Sequence, residues 1–204
     1  MERVIIVAKT RMKSGACVSG LTVSSNKGIR LIPKGRLNQA IDTEFEVGQV
    51  WDIEFREVAD VEPPHVEDVI VFNQQYVGRI ANMRGTLMPR VQPWHGGPEN
   101  LFDNMLTIRQ SKCYISKSGP IPNCSTGYWL PDRQLTLDQE SEKAYYLIGY
   151  AYNFYMRNLS IPFVGFDPPV EQIPSGSLIR VSLARWFLAS GEDRCYLQIS
   201  GWYT

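Results

Sequence analysis

The sequence predicts a mainly β protein of two small barrels joined by a partly helical connector, on three observations. The first is an internal echo. Gly48-Gln-Val-Trp-Asp-Ile-Glu-Phe55 is answered by Gly176-Ser-Leu-Ile-Arg-Val-Ser-Leu183, and each copy sets a glycine ahead of a strand with apolar residues at matching positions. The second is punctuation: 16 glycines and 13 prolines in 204 residues favour short strands and turns over long helices. The third is a hydrophobic content of 44%, with 11% aromatics, which suffices for one large or two small cores.

The first module is assigned to residues 1–72. Val4 to Ala8 is an apolar run that reads as a buried strand, followed by a basic loop from Lys9 to Gly15. Cys17 to Val23 and Gly28 to Ile32 form a strand pair around the turn Ser24-Ser25-Asn26-Lys27. Pro33-Lys34-Gly35 breaks the chain. Gly48 then opens a long strand from Val50 to Val58, whose imperfect alternation at Val50, Trp51 and Phe55 predicts a bulge. Pro63-Pro64 ends what precedes it, and His65 to Phe72 is the last strand of the module.

Residues 73–112 read as the connector. A short helix is expected between Tyr76 and Leu87, and a second one opening at Pro98 and carrying Leu101, Phe102, Met105 and Leu106 on one side. The second module is assigned to 113–204. It holds a loop from Ser116 to Gly127, the strand Tyr128-Trp129-Leu130, and a helical turn over Asp138 to Lys143, because Thr136 and Gln139 are spaced as a capping box. Strands follow at Tyr145 to Phe154 and Ile161 to Phe166. A terminal hairpin closes the chain, with arms Leu178 to Leu188 and Cys195 to Tyr203.

Charge and cysteine usage bound the function classes. The formal net charge is zero, but cations cluster before Asp42 and carboxylates from Asp42 to Asp68. Pairing across neighbouring strands accounts for this pattern; a segregated basic face for a polyanion is the competing account. The four cysteines are scattered without a C-x-x-C pair, so reduced thiols are expected rather than a zinc cluster. The N-terminal apolar run is too short for a signal-peptide core or a bilayer span, which predicts a cytoplasmic protein without a membrane partner. There is no P-loop and no spaced Gly-x-Gly-x-x-Gly after a strand, so nucleotide hydrolysis and dinucleotide redox chemistry are not expected, nor is a cofactor.

Strand alternation divides the terminal hairpin into two faces. Val181, Leu183, Phe187, Leu197 and Ile199 form the core face, and Arg185 falls among them, which places it at a bulge, in an ion pair or beyond the barrel rim. The other face carries Arg180, Ser182, Trp186, Tyr196, Gln198, Ser200 and Trp202. Rings interleaved with a cation and short hydrogen-bonding groups suit a single nucleic-acid strand, each stacked base being worth roughly 1–3 kcal/mol. Packing of the same rings against the rest of the protein is the alternative. Lys9, Arg11, Lys13, Lys34 and Arg36 are further candidates for phosphate contacts. His65 and Glu67 share a side of an extended strand beside Asp68, a spacing open to a metal or an acid–base pair, but no third ligand and no nucleophile is nominated.

Several stretches together resemble a bacterial family of dual OB domain-containing proteins: Gly28-Ile-Arg-Leu31, Val47-Gly-Gln-Val-Trp-Asp-Ile53, Pro63-Pro-His-Val-Glu-Asp-Val69, Ser182-Leu-Ala-Arg-Trp186 and Arg194-Cys-Tyr-Leu-Gln-Ile-Ser-Gly-Trp-Tyr203. They span both ends of the chain. The resemblance implies two five-stranded, OB-like Greek-key barrels, no defined catalytic set, and an accessory role in bacterial defence or mobile-element neighbourhoods. The expected function is thus non-enzymatic binding of single-stranded DNA or RNA. A protein-interaction subunit of a larger complex is the main alternative, and a metal-dependent hydrolase or ligand sensor around His65 the weaker one.

Overall fold

The computed structural model describes every residue except 36, 153 and 154, and the side chains of all but 36 and 151–155. The chain divides into two units, Met1–Val91 and Gln92–Thr204. Among the described residues no helix is long and apolar enough to cross a membrane.

The first unit is a closed barrel of five strands: β1 (Glu2–Met12), β2 (Gly15–Thr22), β3 (Gly28–Pro33), β4 (Gln49–Glu57) and β5 (Asp68–Arg79), in the order β1-β2-β3-β5-β4. All neighbours are antiparallel except β3 and β5, which run parallel from Arg30↔Asp68 to Pro33↔Val71. This is the Greek-key order of an OB-like barrel. Val4, Ile6, Val18, Ile29, Leu31, Phe45, Trp51, Ile53, Val69 and Val71 fill its core. The expected bulge in β4 is present as register shifts at Val50/Trp51 and Glu54/Phe55.

The uneven charge distribution resolves into pairs between strands. Arg3 meets its cross-strand neighbour Asp52 at 3.0 Å. Arg30 grips Asp68 with two bonds, of 2.6 and 2.8 Å. Lys27 bonds Glu57, and Lys9 bonds Glu46 at 2.6 Å. The basic first half of the barrel is thereby matched to the acidic second half.

β5 continues to Arg79, so the helix expected from Tyr76 to Leu87 is reduced to one turn, α1 (Met83–Leu87), capped by Asn82 through Gly85 N. The second unit opens with β6 (Trp94–Gly96). The helix expected at Pro98 is only a 3-10 turn over Pro98–Asn100, because Phe102, Asp103 and Asn104 all take positive φ and stop propagation. Further strands are β7 (Thr107–Arg109), β8 (Lys112–Ser116), β9 (Thr126–Pro131), β10 (Leu135–Leu137), β11 (Tyr145–Tyr152), β12 (Tyr155–Pro162), β13 (Gln172–Ile173), β14 (Leu178–Leu183), β15 (Phe187–Ala189) and β16 (Glu192–Tyr203). No helical turn forms between β10 and β11. There Asp138 Oδ1 accepts from Glu140 N at 3.1 Å, a local turn that competes with a helix cap.

The strands of the second unit form two sheets, β12-β11-β10-β13 and β6-β9-β14-β16-β8-β7 with β15 on β16. Phe163 bridges Ile199 in parallel, so the strand after β11 meets the last strand as β3 meets β5 in the first unit. The sequence echo acquires a structural meaning here. Gly48 precedes β4 and Gly176 precedes β14, both with positive φ (+86° and +73°). Gly48 N donates to Ile6 O of β1 at 2.9 Å, and Gly176 N to Pro131 O of β9 at 2.8 Å. Each glycine makes the same tie at the entrance of the equivalent strand. Trp129, Tyr146, Leu135, Ile148, Leu159, Ile161, Val181, Leu197 and Ile199 are among the buried residues of this core.

Candidate nucleic-acid interface

The terminal hairpin is where the sequence placed its ring-bearing face, and the structure rearranges that face twice. β16 carries a register shift opposite Arg180/Val181: Val181 pairs with Ile199, but Arg180 pairs with Gly201 and Ile179 with Trp202. Ser200 is the extra residue, and beyond it the in–out parity of the strand reverses. Trp202 therefore turns to the core and packs on Phe163 and Tyr146, with ring centroids 5.0 and 5.9 Å away. The second break is the irregular stretch 184–186 between β14 and β15. It draws the half-buried Trp186 onto the core, with Lys117 Nζ 5.4 Å from its ring, and leaves Arg185 exposed. Phe187, expected on the core face, is instead 64% exposed.

Arg180 also departs from the expected exposed face. It is 3% exposed, and its Nη1 donates to Ser200 Oγ at 3.1 Å. Buried Tyr128 is its cross-strand neighbour; burial raises the Tyr128 pKa, and the guanidinium partly offsets the rise. Arg180 is a structural cation, out of reach of a ligand's phosphate.

Tyr196, Gln198 and Ser182 remain on the outward face, and the structure adds partners that alternation within one hairpin does not reveal. β8 pairs with β16 through Tyr114↔Tyr196 and Ser116↔Arg194. Residues directly opposite share a face, so Lys112, Tyr114, Arg194, Tyr196 and Phe187 form one outward band. Lys112 Nζ lies 6.0 Å from the Tyr196 ring, Tyr196 and Tyr114 are 5.5 Å apart, and Arg194 Cζ covers Tyr114 at 4.4 Å. Tyr114 is buried beneath this stack, whereas Tyr196 is half-exposed and Lys112 exposed.

Glu192 anchors the band's end. It accepts from Ser116, from Ser118 at 2.6 Å and from Arg194 at 3.0 Å. These hydroxyls, with the guanidinium after them, hold its carboxyl down at about 2. The arrangement fixes Arg194 over Tyr114 and keeps the ring-and-cation order rigid.

The basic candidates of the first unit separate into two kinds. Lys9 is 5% exposed and spends its ammonium on Thr43 O at 3.1 Å and Glu46 at 2.6 Å, so it ties a loop rather than facing solvent. Arg11, Lys13 and Lys34 are exposed. Lys34 Nζ lies 5.9 Å and Arg56 Cζ 5.2 Å from the ring of Phe72, an exposed aromatic that the sequence marks as a strand end and not as a binding candidate. Phe72 falls at the Glu54/Phe55 register shift, which no sequence period marks. Arg36 lies outside the described residues.

His65 is buried at 6% exposure and its backbone N–H donates to Glu62 O at 3.0 Å. Asp68 is held by Arg30, as above. Among the described residues no group of three or more His, Cys, Asp or Glu is placed to hold a metal. Cys113 and Cys195 are buried, and burial pushes the Cys113 thiol pKa up.

The family described as dual OB-containing domain matches residues 2–202. A search of curated proteins finds no match. Among solved structures, the crystal structure of the p204 HINb domain aligns at 11% identity over 97% of this chain and 95% of that one, with a TM-score of 0.34. A murine DNA-binding protein bound to double-stranded DNA aligns at 8% identity over 97% and 91%, with a TM-score of 0.30.

Proposed function

From the premise that the chain belongs to the dual OB-containing domain family, we propose that it is a non-enzymatic protein that binds single-stranded nucleic acid across the outer band of β8, β15 and β16. One observation carries this reading: Lys112, Tyr196, Tyr114 and Arg194 form a continuous stack of two rings between two cations. Bases stack on the partly exposed Tyr196 and the exposed Phe187 whatever their sequence, while the exposed Lys112 meets the phosphates. Gln198 and Ser182 supply hydrogen-bonding groups beside the rings. On the first unit by itself, the exposed Arg11, Lys13 and Lys34 are separate candidates for phosphate contact.

The test is anisotropy of a labelled 12-nucleotide strand titrated with protein at several salt concentrations. Tryptophan emission is a poor reporter, since Trp186 and Trp202 pack inward. If about three phosphates are engaged, log affinity falls against log salt with a slope of about −2. No binding of DNA or RNA strands at low salt refutes the reading.

A second reading rests on a different observation. β15 is an edge strand whose Phe187 and Leu188 are 64% and 66% exposed. Exposed apolar edge strands pair with other chains, which suits an interaction subunit of a larger complex. A stoichiometric partner that co-purifies from the native host after nuclease treatment, and is lost on Leu188→Lys, favours it. Placement in a defence or mobile-element system follows the family context, and the neighbouring genes test it.

A further inference from the structure

We propose that the seam beside β16 in the second unit is a pocket for one unstacked nucleobase of the bound strand, an inference that rests on the strand-binding reading. Along one edge β16 pairs first with β8, ending at Tyr196↔Tyr114, and next with Phe163, at Ile199. Leu197 and Gln198 lie between, where the edge passes from one neighbour to the other. A cavity of about 330 Å³ opens at that handover. Its size is at the lower end of ligand pockets, about 300–1,000 Å³, so it takes one ring system and not a run of nucleotides.

The chemistry of the walls selects the occupant. Lys112 and Tyr196 line it from β8 and β16, Tyr145 and Ser160 from β11 and β12, and Ser111 from just before β8. The floor is apolar, built from Cys113, Ile161 and Leu197, all buried. A flat heterocycle matches two tyrosine walls and an apolar floor, and its polar edge matches the Ser111 and Ser160 hydroxyls. A charged group would be poorly solvated on that floor, yet the exposed Lys112 ammonium receives the phosphate carried by the sugar of the same nucleotide. Tyr196 and Lys112 belong also to the outer stack, so the cavity opens directly from the proposed track. A strand lying on the track can turn one base into the seam without leaving it. Ser160 N donates to Ser111 O at 2.9 Å, so the two sides are tied at one end and the pocket is pre-formed.

Adenosine 5′-monophosphate and uridine 5′-monophosphate serve as single-nucleotide probes by saturation-transfer NMR, and a 12-nucleotide strand by anisotropy, on the full chain. Ser160→Tyr fills the cavity and Tyr145→Ala removes a wall; circular dichroism checks that each variant is folded. Saturable uptake of a monophosphate by the wild type is expected, lost in Ser160→Tyr, weakened in Tyr145→Ala and unchanged in Val170→Ala, an exposed site outside the cavity and the track. Strand affinity is expected to fall about tenfold in Ser160→Tyr. Folded Ser160→Tyr that binds the strand as the wild type does would overturn the pocket and leave the strand reading standing. If wild-type protein binds no strand, the strand reading fails and the proposed base pocket with it.

Discussion

Ser200 Oγ accepts from the Arg180 guanidinium at 3.1 Å and donates to the Arg180 carbonyl at the same distance. Side chain and backbone of one strand are thereby locked to the extra residue of the next. That extra residue reverses the parity of β16 and turns Trp202 into the core. A buried cation is costly unless hydrogen-bonded, so the pair depends on both partners. Ser200→Ala should destabilise the protein by about 1–3 kcal/mol, read as a shift of the urea midpoint. Strand affinity of the folded fraction should be unchanged, since Arg180 is not at the interface. A selective loss of affinity at unchanged stability would refute this assignment.

Lys9 offers the corresponding contrast in the first unit. It was a candidate for phosphate contact by sequence, but its ammonium is buried against Thr43 O and Glu46. Lys9→Met should cost about 1.5–3 kcal/mol, the range of hydrogen bonds to charged groups, and leave the salt slope of strand binding as it was. Lys13→Ala, at an exposed site, should leave stability within about 0.5 kcal/mol. If Lys13 contacts a phosphate, the same change flattens the salt slope by about 0.7. Opposite outcomes for the two lysines would mean that burial misassigns them.

What the sequence made legible is governed by period and repetition. The glycine-led echo identified equivalent strands, because the same positive-φ entrance recurs at Gly48 and Gly176. The cross-strand matching of basic and acidic segments was also readable, since Arg3 and Asp52 sit on strands whose patterns were plain. What failed was parity. One inserted residue at Ser200 and an irregular stretch at 184–186 each reset the face of the residues next to them, and neither leaves a mark in hydrophobic alternation. Hence Trp186, Trp202 and Phe187 all changed sides, while Tyr196 and Gln198, lying between the two breaks, did not. Tyr114 and Lys112 escaped notice because their strand joins β16 from some 80 residues away, a pairing that spacing does not encode.

The Glu192 carboxyl should titrate at about 2, well beneath its ordinary 4.5, because Ser116, Ser118 and Arg194 bond its charged form. A carboxyl whose folded-state pKa is depressed stabilises the fold fully above its unfolded value. That contribution is lost as pH falls from about 4.5 through about 2. Carboxyl-carbon NMR should find this midpoint, and Ser116→Ala should move it upward by removing a hydroxyl that bonds the charged carboxylate. A Glu192 midpoint near 4.5 would dissolve the anchor that holds Arg194 over Tyr114.

Gly48 and Gly176 provide a test of the duplication itself. A Cβ at Gly48 would meet nothing nearer than 3.6 Å, and one at Gly176 nothing within 4 Å. Steric exclusion therefore contributes nothing at either site, and only the backbone conformation, with φ of +86° and +73°, resists a side chain. Left-handed backbone costs an L-residue about 1–2 kcal/mol, so Gly48→Ala and Gly176→Ala should each destabilise by that amount, read from denaturant midpoints. Asparagine, which tolerates this conformation better, should recover part of the loss at both positions. If the equivalence holds, the two glycines respond alike to both substitutions. A large cost at one and none at the other would mean that the matching ties to Ile6 and Pro131 do not reflect a shared entrance geometry.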